Sequence, residues 1–176
     1  MENFAERPFF PTYNHSLLHF LRNFAVEDKP YKFHLPTIKK MNYWLMKTEP
    51  DCFSWDDMKK AGKATWDGVR NYAARNNMQA MKKGDLVFIY HSNIGKEIVG
   101  IAEVTKEAYP DPTTDDARWV VVDVKPKKSL KKPVTLAEIK TDDLLKNMLL
   151  VRQGRLSVTA LTKEEFDHIL MLSQNN

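Results

Sequence analysis

Lys83-Gly84-Asp85 followed by Leu86-Val87-Phe88-Ile89-Tyr90 reads as a turn that feeds an unbroken apolar run. A short run of this kind, closed by turn signals, suits a strand buried on both faces. Ile98-Val99-Gly100-Ile101-Ala102-Glu103-Val104 is the next strand, and Gly100 inside it marks a bulge or a close approach of backbone. A loop around Pro110, Asp111 and Pro112 leads to Trp119-Val120-Val121-Val122-Asp123-Val124, a third strand stopped by Pro126.

The flanking segments alternate in character. Upstream, Tyr43-Trp44-Leu45-Met46 reads as a strand closed by Pro50, and Ser54 is a good N-cap for a short helix through Asp57 and Met58 that ends at Gly62. A second helix is predicted over 71–82, with Tyr72, Met78 and Met81 as its larger apolar positions. Downstream, Thr135 with Glu138 and Thr162 with Glu165 are capping boxes that open helices at 136–140 and 163–172. Arg155-Leu156-Ser157-Val158 reads as the last strand. Strands outnumber long helices, and the connection between residues 43 and 90 alone holds a helix long enough for a parallel crossover. This is an α+β pattern, a small, mostly antiparallel β-barrel decorated with short helices.

Residues 1–40 differ in texture. Leu17, Leu18, Phe20, Leu21 and Phe24 fall at roughly helical spacing, and Pro30 and Pro36 break the pattern beyond them. The reading is an N-terminal extension of open role over 1–40, then one domain over 41–174, with Met41 a possible true start. No basic start or small-residue cleavage site makes the extension a signal peptide.

Composition narrows the class. Of 176 residues 43% are apolar and 28% charged, which excludes a collagenous or wholly disordered chain. No stretch reaches the ~18–20 apolar residues of a membrane span, so no membrane partner is expected. Cys52 is the single cysteine, so neither an intramolecular disulfide nor an all-thiolate metal site can form. No cofactor and no metal are expected. A net charge of +4 permits a polyanionic partner without requiring one.

No catalytic signature is present: no phosphate loop, no G-x-S-x-G, no H-E-x-x-H. Cys52 with His91 could in principle pair as nucleophile and base, but a lone cysteine beside phenylalanine is more often a packed small residue. What does stand out is a concentration of aromatic, amide and basic residues at strand–helix junctions. It comprises Trp44, Lys47, Ser54, Trp55, Trp66, Val69, Arg70, Asn71, Tyr72, Arg75, Asn76, Tyr90, His91 and Ser92. An extruded nucleobase needs a stacking surface and a few donors and acceptors at its pairing edge, which such residues supply. They also admit a purely structural reading, with Trp44 and Trp66 in the core and Asn71 capping a helix.

Trp44-Leu45-Met46-Lys47-Thr48-Glu49-Pro50 and Trp66-Asp67-Gly68-Val69-Arg70-Asn71-Tyr72-x-Ala74-Arg75-Asn76 together strongly resemble the EVE domain. Gly84-Asp85, Tyr90-His91-Ser92, Val99-Gly100-Ile101-Ala102, Tyr109-Pro110-Asp111 and Arg155-Leu156-Ser157-Val158 continue the match in order over 42–172. The resemblance implies a PUA-like fold and a non-catalytic binding module for modified bases, chiefly 5-methylcytosine-type marks in DNA. In the related YTH domains an aromatic cage holds the methylated base. Here Trp66, with Trp44 or Trp55, would stack on the base, and Asn71, Ser92 and Lys47 would meet its polar edge. Arg70 and Arg75 would contact phosphate. A monomer is expected, cytoplasmic in a bacterium or nuclear in a eukaryote. Two alternatives stand beside this reading: a reader of modified RNA, and a small hydrolase or nucleotide-processing enzyme using His91 and Glu49.

Overall fold

Hydrophobic residues that alternate in direction along β1, Tyr43–Thr48, send Trp44 and Met46 to one side of the sheet and Leu45 to the other. The structure, a computed structural model, describes residues 41–174; the helix expected within 17–24 lies outside them. After β1 come α1 (Trp55–Ala61), the three-residue strand β2 (Ala64–Trp66) and α2 (Tyr72–Ala80). Next along the chain are strands β3 (Leu86–His91), β4 (Glu97–Pro110) and β5 (Val120–Thr135). Then come α3 (Leu136–Thr141), α4 (Leu149–Arg152), β6 (Val158–Leu161) and α5 (Lys163–Leu172).

The strands form one mixed sheet in the order β2-β5-β4-β3-β1-β6. β1 and β3 run parallel, joined by the crossover through α1, β2 and α2, and the other pairings are antiparallel. The fold is PUA-like in class. Its sheet is open, with β2 and β6 at its two edges, so "barrel" describes it loosely. Because β1 and β3 are covered on both faces, they read as continuous apolar runs rather than alternating ones. One face packs Trp44, Met46, Val87 and Ile89 against α1 and α2; the other packs Leu45, Phe88 and Ile139 against Phe166 of α5.

Three sequence expectations need correction. Pro126 does not stop β5, because it falls where the β4–β5 register slips, pairing with Ala102 while Ile101 pairs with Lys128. A missing N–H is tolerated at such a bulge. The lysine-rich stretch after it continues the strand. The Pro110 loop is likewise shorter than expected, since β4 continues to Pro110 opposite Val120. The last strand is Val158–Leu161, preceded by Ser157, whose carbonyl accepts from the Lys47 amide at 2.9 Å. β2 and α4 carry no sequence signal of their own.

Helix ends behave as their sequences dictate. The three capping boxes, Ser54/Asp57, Thr135/Glu138 and Thr162/Glu165, all form. Helix α2 starts at the Asn71 cap and stops at Met81. Gly100 is a close approach: a Cβ there would sit 2.3 Å from the Trp55 ring. Gly100→Ala is therefore expected to destabilise the fold by about 2–3 kcal/mol or more, because an aromatic wedged at the sheet cannot retreat. Chemical denaturation of the variant checks this, and a change under about 0.5 kcal/mol would show that the ring can shift.

Candidate nucleic-acid interface

β2 pairs with β5 on one side only, and its other side is not joined to β1 or β6. The seam where the sheet fails to close is a cleft of about 810 Å³. The end of β1 supplies Lys47, Thr48 and Glu49; the approach to α1 supplies Cys52 and Phe53; β2 and its flanks supply Lys63 to Gly68. Trp66 lines this cleft while only 8% exposed, so most of its ring packs into the core. Phe53, partly buried, packs against the same cluster.

Four polar side chains of the cleft, Lys47, Thr48, Lys63 and Thr65, are held by partners. Lys47 donates from Nζ to the Gly154 carbonyl at 2.8 Å, and burial holds its ammonium below the usual lysine value. Its Nζ lies 6.0 Å from the centre of the Tyr90 ring, and burial pushes the hydroxyl of that tyrosine up. Asp123, itself 2% exposed, accepts from Lys63 Nζ at 2.8 Å, from Thr65 Oγ1 at 2.9 Å and from the Tyr109 hydroxyl at 2.9 Å. Burial alone would raise the Asp123 carboxyl, but hydrogen bonds from Lys63, Tyr109 and Thr65 outweigh it and hold it below the usual carboxylate range. Thr48 spends its hydroxyl proton on the Phe53 carbonyl at 2.7 Å. The side chains of Glu49, Asp51 and Cys52 are exposed and lie within 4.8 Å of one another at the rim.

A second assembly surrounds the start of α2. Arg70 bonds the buried Asp111 carboxylate at 2.7 Å and sits 5.7 Å from the Trp119 ring centre. Tyr72, 52% exposed, packs against Trp119 with ring centres 5.1 Å apart. The Arg75 guanidinium lies 4.9 Å from the Tyr72 ring and bonds the Asn76 side-chain oxygen at 2.7 Å, while Arg118 donates to the Tyr72 hydroxyl at 3.0 Å. The result is a layered arginine–aromatic surface. Val69 beneath it is buried.

The remaining sequence-selected residues serve the frame. Trp44 is 6% exposed and donates from Nε1 to Asp85 at 3.0 Å. Trp55 is 5% exposed and donates from Nε1 to the Ser129 hydroxyl at 2.9 Å. All three rings are largely buried, but Trp66 lines the cleft and Trp44 and Trp55 are not among its lining residues. Ser54 caps α1, and Asn71 accepts from the Ala74 amide to cap α2. Ser92 donates to the Thr48 carbonyl at 3.0 Å. The fourteen candidates thus divide among the cleft, the arginine–aromatic surface and the frame. Phe53, Lys63, Thr65, Asp67, Arg118 and Trp119 were not among them; the length of β2, too short for a periodic signal, hides Lys63 and Thr65.

His91 accepts at Nε2 from the Trp55 amide, at 3.0 Å, and so acts as an outside cap on α1. Burial lowers its pKa against the pull of Glu97 and Asp56, so folding favours the neutral ring. A depressed histidine contributes stability above its ordinary value of 6.5 and loses it as pH falls, because the unfolded chain binds the proton first. Lowering pH from about 7 to about 5 should therefore reduce the melting temperature more in the parent chain than in His91→Gln. Identical pH profiles for the two proteins would contradict this.

The EVE domain family model matches residues 42–172. Thymocyte nuclear protein 1 of Mus musculus is 42% identical over 167 residues, covering 76% of this chain and 74% of that protein. An uncharacterized protein of Schizosaccharomyces pombe is 32% identical over 167 residues, covering 77% of this chain and 70% of its own length. Among solved structures, a Rhodopseudomonas palustris protein determined by NMR is 48% identical with a TM-score of 0.74, covering 76% of this chain and 94% of that one. The human THYN1 protein in complex with DNA containing 5-methylcytosine is 37% identical with a TM-score of 0.73, covering 77% of this chain and 99% of that one.

Proposed function

The chain belongs to the EVE domain family, and from that premise we propose that it is a non-catalytic reader of DNA carrying a 5-methylcytosine-type base. The observation that carries the proposal is the cleft in the open seam of the sheet. It is large enough for a nucleobase, bounded by Trp66 and Phe53, and edged by polar groups fixed by partners behind them. A base taken out of the stack needs an aromatic face to rest on and groups at its pairing edge. The human relative solved with 5-methylcytosine-containing DNA supports the same partner here.

In this reading Trp66 and Phe53 flank the base, while Lys47 and Lys63 meet its acceptors. The arginine–aromatic surface of Arg70, Tyr72, Arg75 and Arg118 receives the flanking phosphates, to which guanidinium groups are suited. The protein acts as a monomer, in the nucleus if its host is a eukaryote and in the cytoplasm if it is a bacterium. Among the described residues no helix is long and apolar enough to cross a membrane. His91 serves the frame rather than a hydrolytic reaction, since its Nε2 lone pair is engaged by the Trp55 amide.

The test is a binding screen with oligonucleotides that differ in the modification of one base, presented in both DNA and RNA. Tighter binding of 5-methylcytosine than of cytosine in DNA supports the proposal. Preference for a modified base in RNA alone would move the assignment to an RNA reader. Conversion of any oligonucleotide by the purified protein, lost in His91→Ala, would make it an enzyme.

Residues 41–174 constitute the functional domain in this account. A chain beginning at Met41 is expected to melt cooperatively and to retain binding, as circular dichroism and fluorescence anisotropy would report. An insoluble or non-cooperative product would show that residues 1–40 complete the fold.

A further inference from the structure

Two cleft carboxylates have no work in the fold. Glu49, the residue after β1, and Asp67, the residue after β2, both line the cleft. Among the described residues, neither side chain has a hydrogen-bonding or ionic partner. The other polar side chains of the cleft are committed: Thr48 to the Phe53 carbonyl, Thr65 and Lys63 to Asp123, Lys47 to the Gly154 carbonyl. An ionised carboxylate only accepts hydrogen bonds, whereas an ammonium only donates them and keeps protons to spare after one bond. The cleft therefore offers unused acceptors at Glu49 and Asp67 and unused donors at Lys47 and Lys63.

That combination complements one kind of base edge. Cytosine presents an exocyclic amino donor beside two acceptors, the ring nitrogen and the carbonyl oxygen. Thymine presents a carbonyl oxygen where cytosine has its amino group, and a carboxylate would repel it. Acidic side chains are the ordinary partners of the cytosine amino group. The distinction matters because 5-methylcytosine and thymine carry the same 5-methyl group. Neither an aromatic stack nor an apolar pocket for that methyl can separate them.

Resting on the reading of the cleft as the base site, we infer that Glu49 and Asp67 determine specificity by accepting from the exocyclic amino group of the bound base. They select amino-bearing bases against thymine. A carboxamide in place of either acid adds a donor that thymine can use, so the isosteric amides are the informative variants.

The experiment measures dissociation constants of the full chain and of Asp67→Asn and Glu49→Gln for DNA carrying 5-methylcytosine, cytosine or thymine at one position. The parent chain should favour 5-methylcytosine over thymine by about tenfold or more, the scale of one good base-edge contact. At least one amide variant should bring that ratio down severalfold while melting as the parent does, because both positions are exposed. An unchanged 5-methylcytosine-to-thymine ratio in both variants overturns the inference, and leaves the base-reading proposal standing if 5-methylcytosine is still preferred over cytosine. A parent chain that does not separate the three oligonucleotides overturns both.

Discussion

Trp66→Ala is expected to weaken binding of the modified base by about 1–3 kcal/mol and also to cost the fold about 3–5 kcal/mol. The two effects arise from one ring. Its larger part packs with Val69 and Met78 in the core beneath β2, and its remaining face borders the cleft. Loss of that stacking partner is a fall in affinity of roughly fivefold to 150-fold. Trp66→Phe separates the contributions, since phenylalanine restores much of the buried volume and keeps an aromatic face. It should recover most of the stability and part of the affinity. Equal affinity in the alanine variant and the parent, measured below the melting transition, would remove Trp66 from the binding site.

Asp85→Ala is expected to destabilise the protein by about 3–5 kcal/mol, a large share of a domain's typical margin. Asp85 is 1% exposed and accepts from the Asn42 amide, the Asn42 side chain, the Trp44 indole and the Lys82 amide. Its removal strands the indole N–H in a place water cannot reach. Asp85→Asn keeps one acceptor oxygen and should lie between alanine and the parent. Urea unfolding of the three proteins checks the order, and an alanine variant within about 1 kcal/mol of the parent would mean that water replaces the carboxylate.

The architecture was legible in the sequence where burial wrote a continuous pattern. Leu86–Tyr90 and Val120–Val124 are buried strands, the capping boxes open their helices, and the one connection long enough for a parallel crossover makes one. Pro126 misled because a local rule for regular strands does not hold at a bulge, and register slips are tertiary facts. The site was legible as a neighbourhood rather than as a geometry. Residues 66–76 pass from an edge strand through a cap into a helix, so their side chains point to different places. Trp66 lines the cleft, Asn71 turns to the backbone, and Arg70 and Arg75 layer on Trp119 and Tyr72. Lys63 and Phe53 carry no motif, and only the open seam between β1 and β2 makes them neighbours.

The central claim is that the modified base sits in that seam. Titrating the isotopically labelled chain with DNA carrying one 5-methylcytosine, and following the amide and indole NMR signals, tests it most directly. The largest shifts are expected at residues 47–53 and 63–68, including the Trp66 indole, with smaller ones at Arg70, Arg75 and Arg118. Shifts confined to the lysine-rich part of β5 or to α5, with the cleft signals unmoved, would contradict the account.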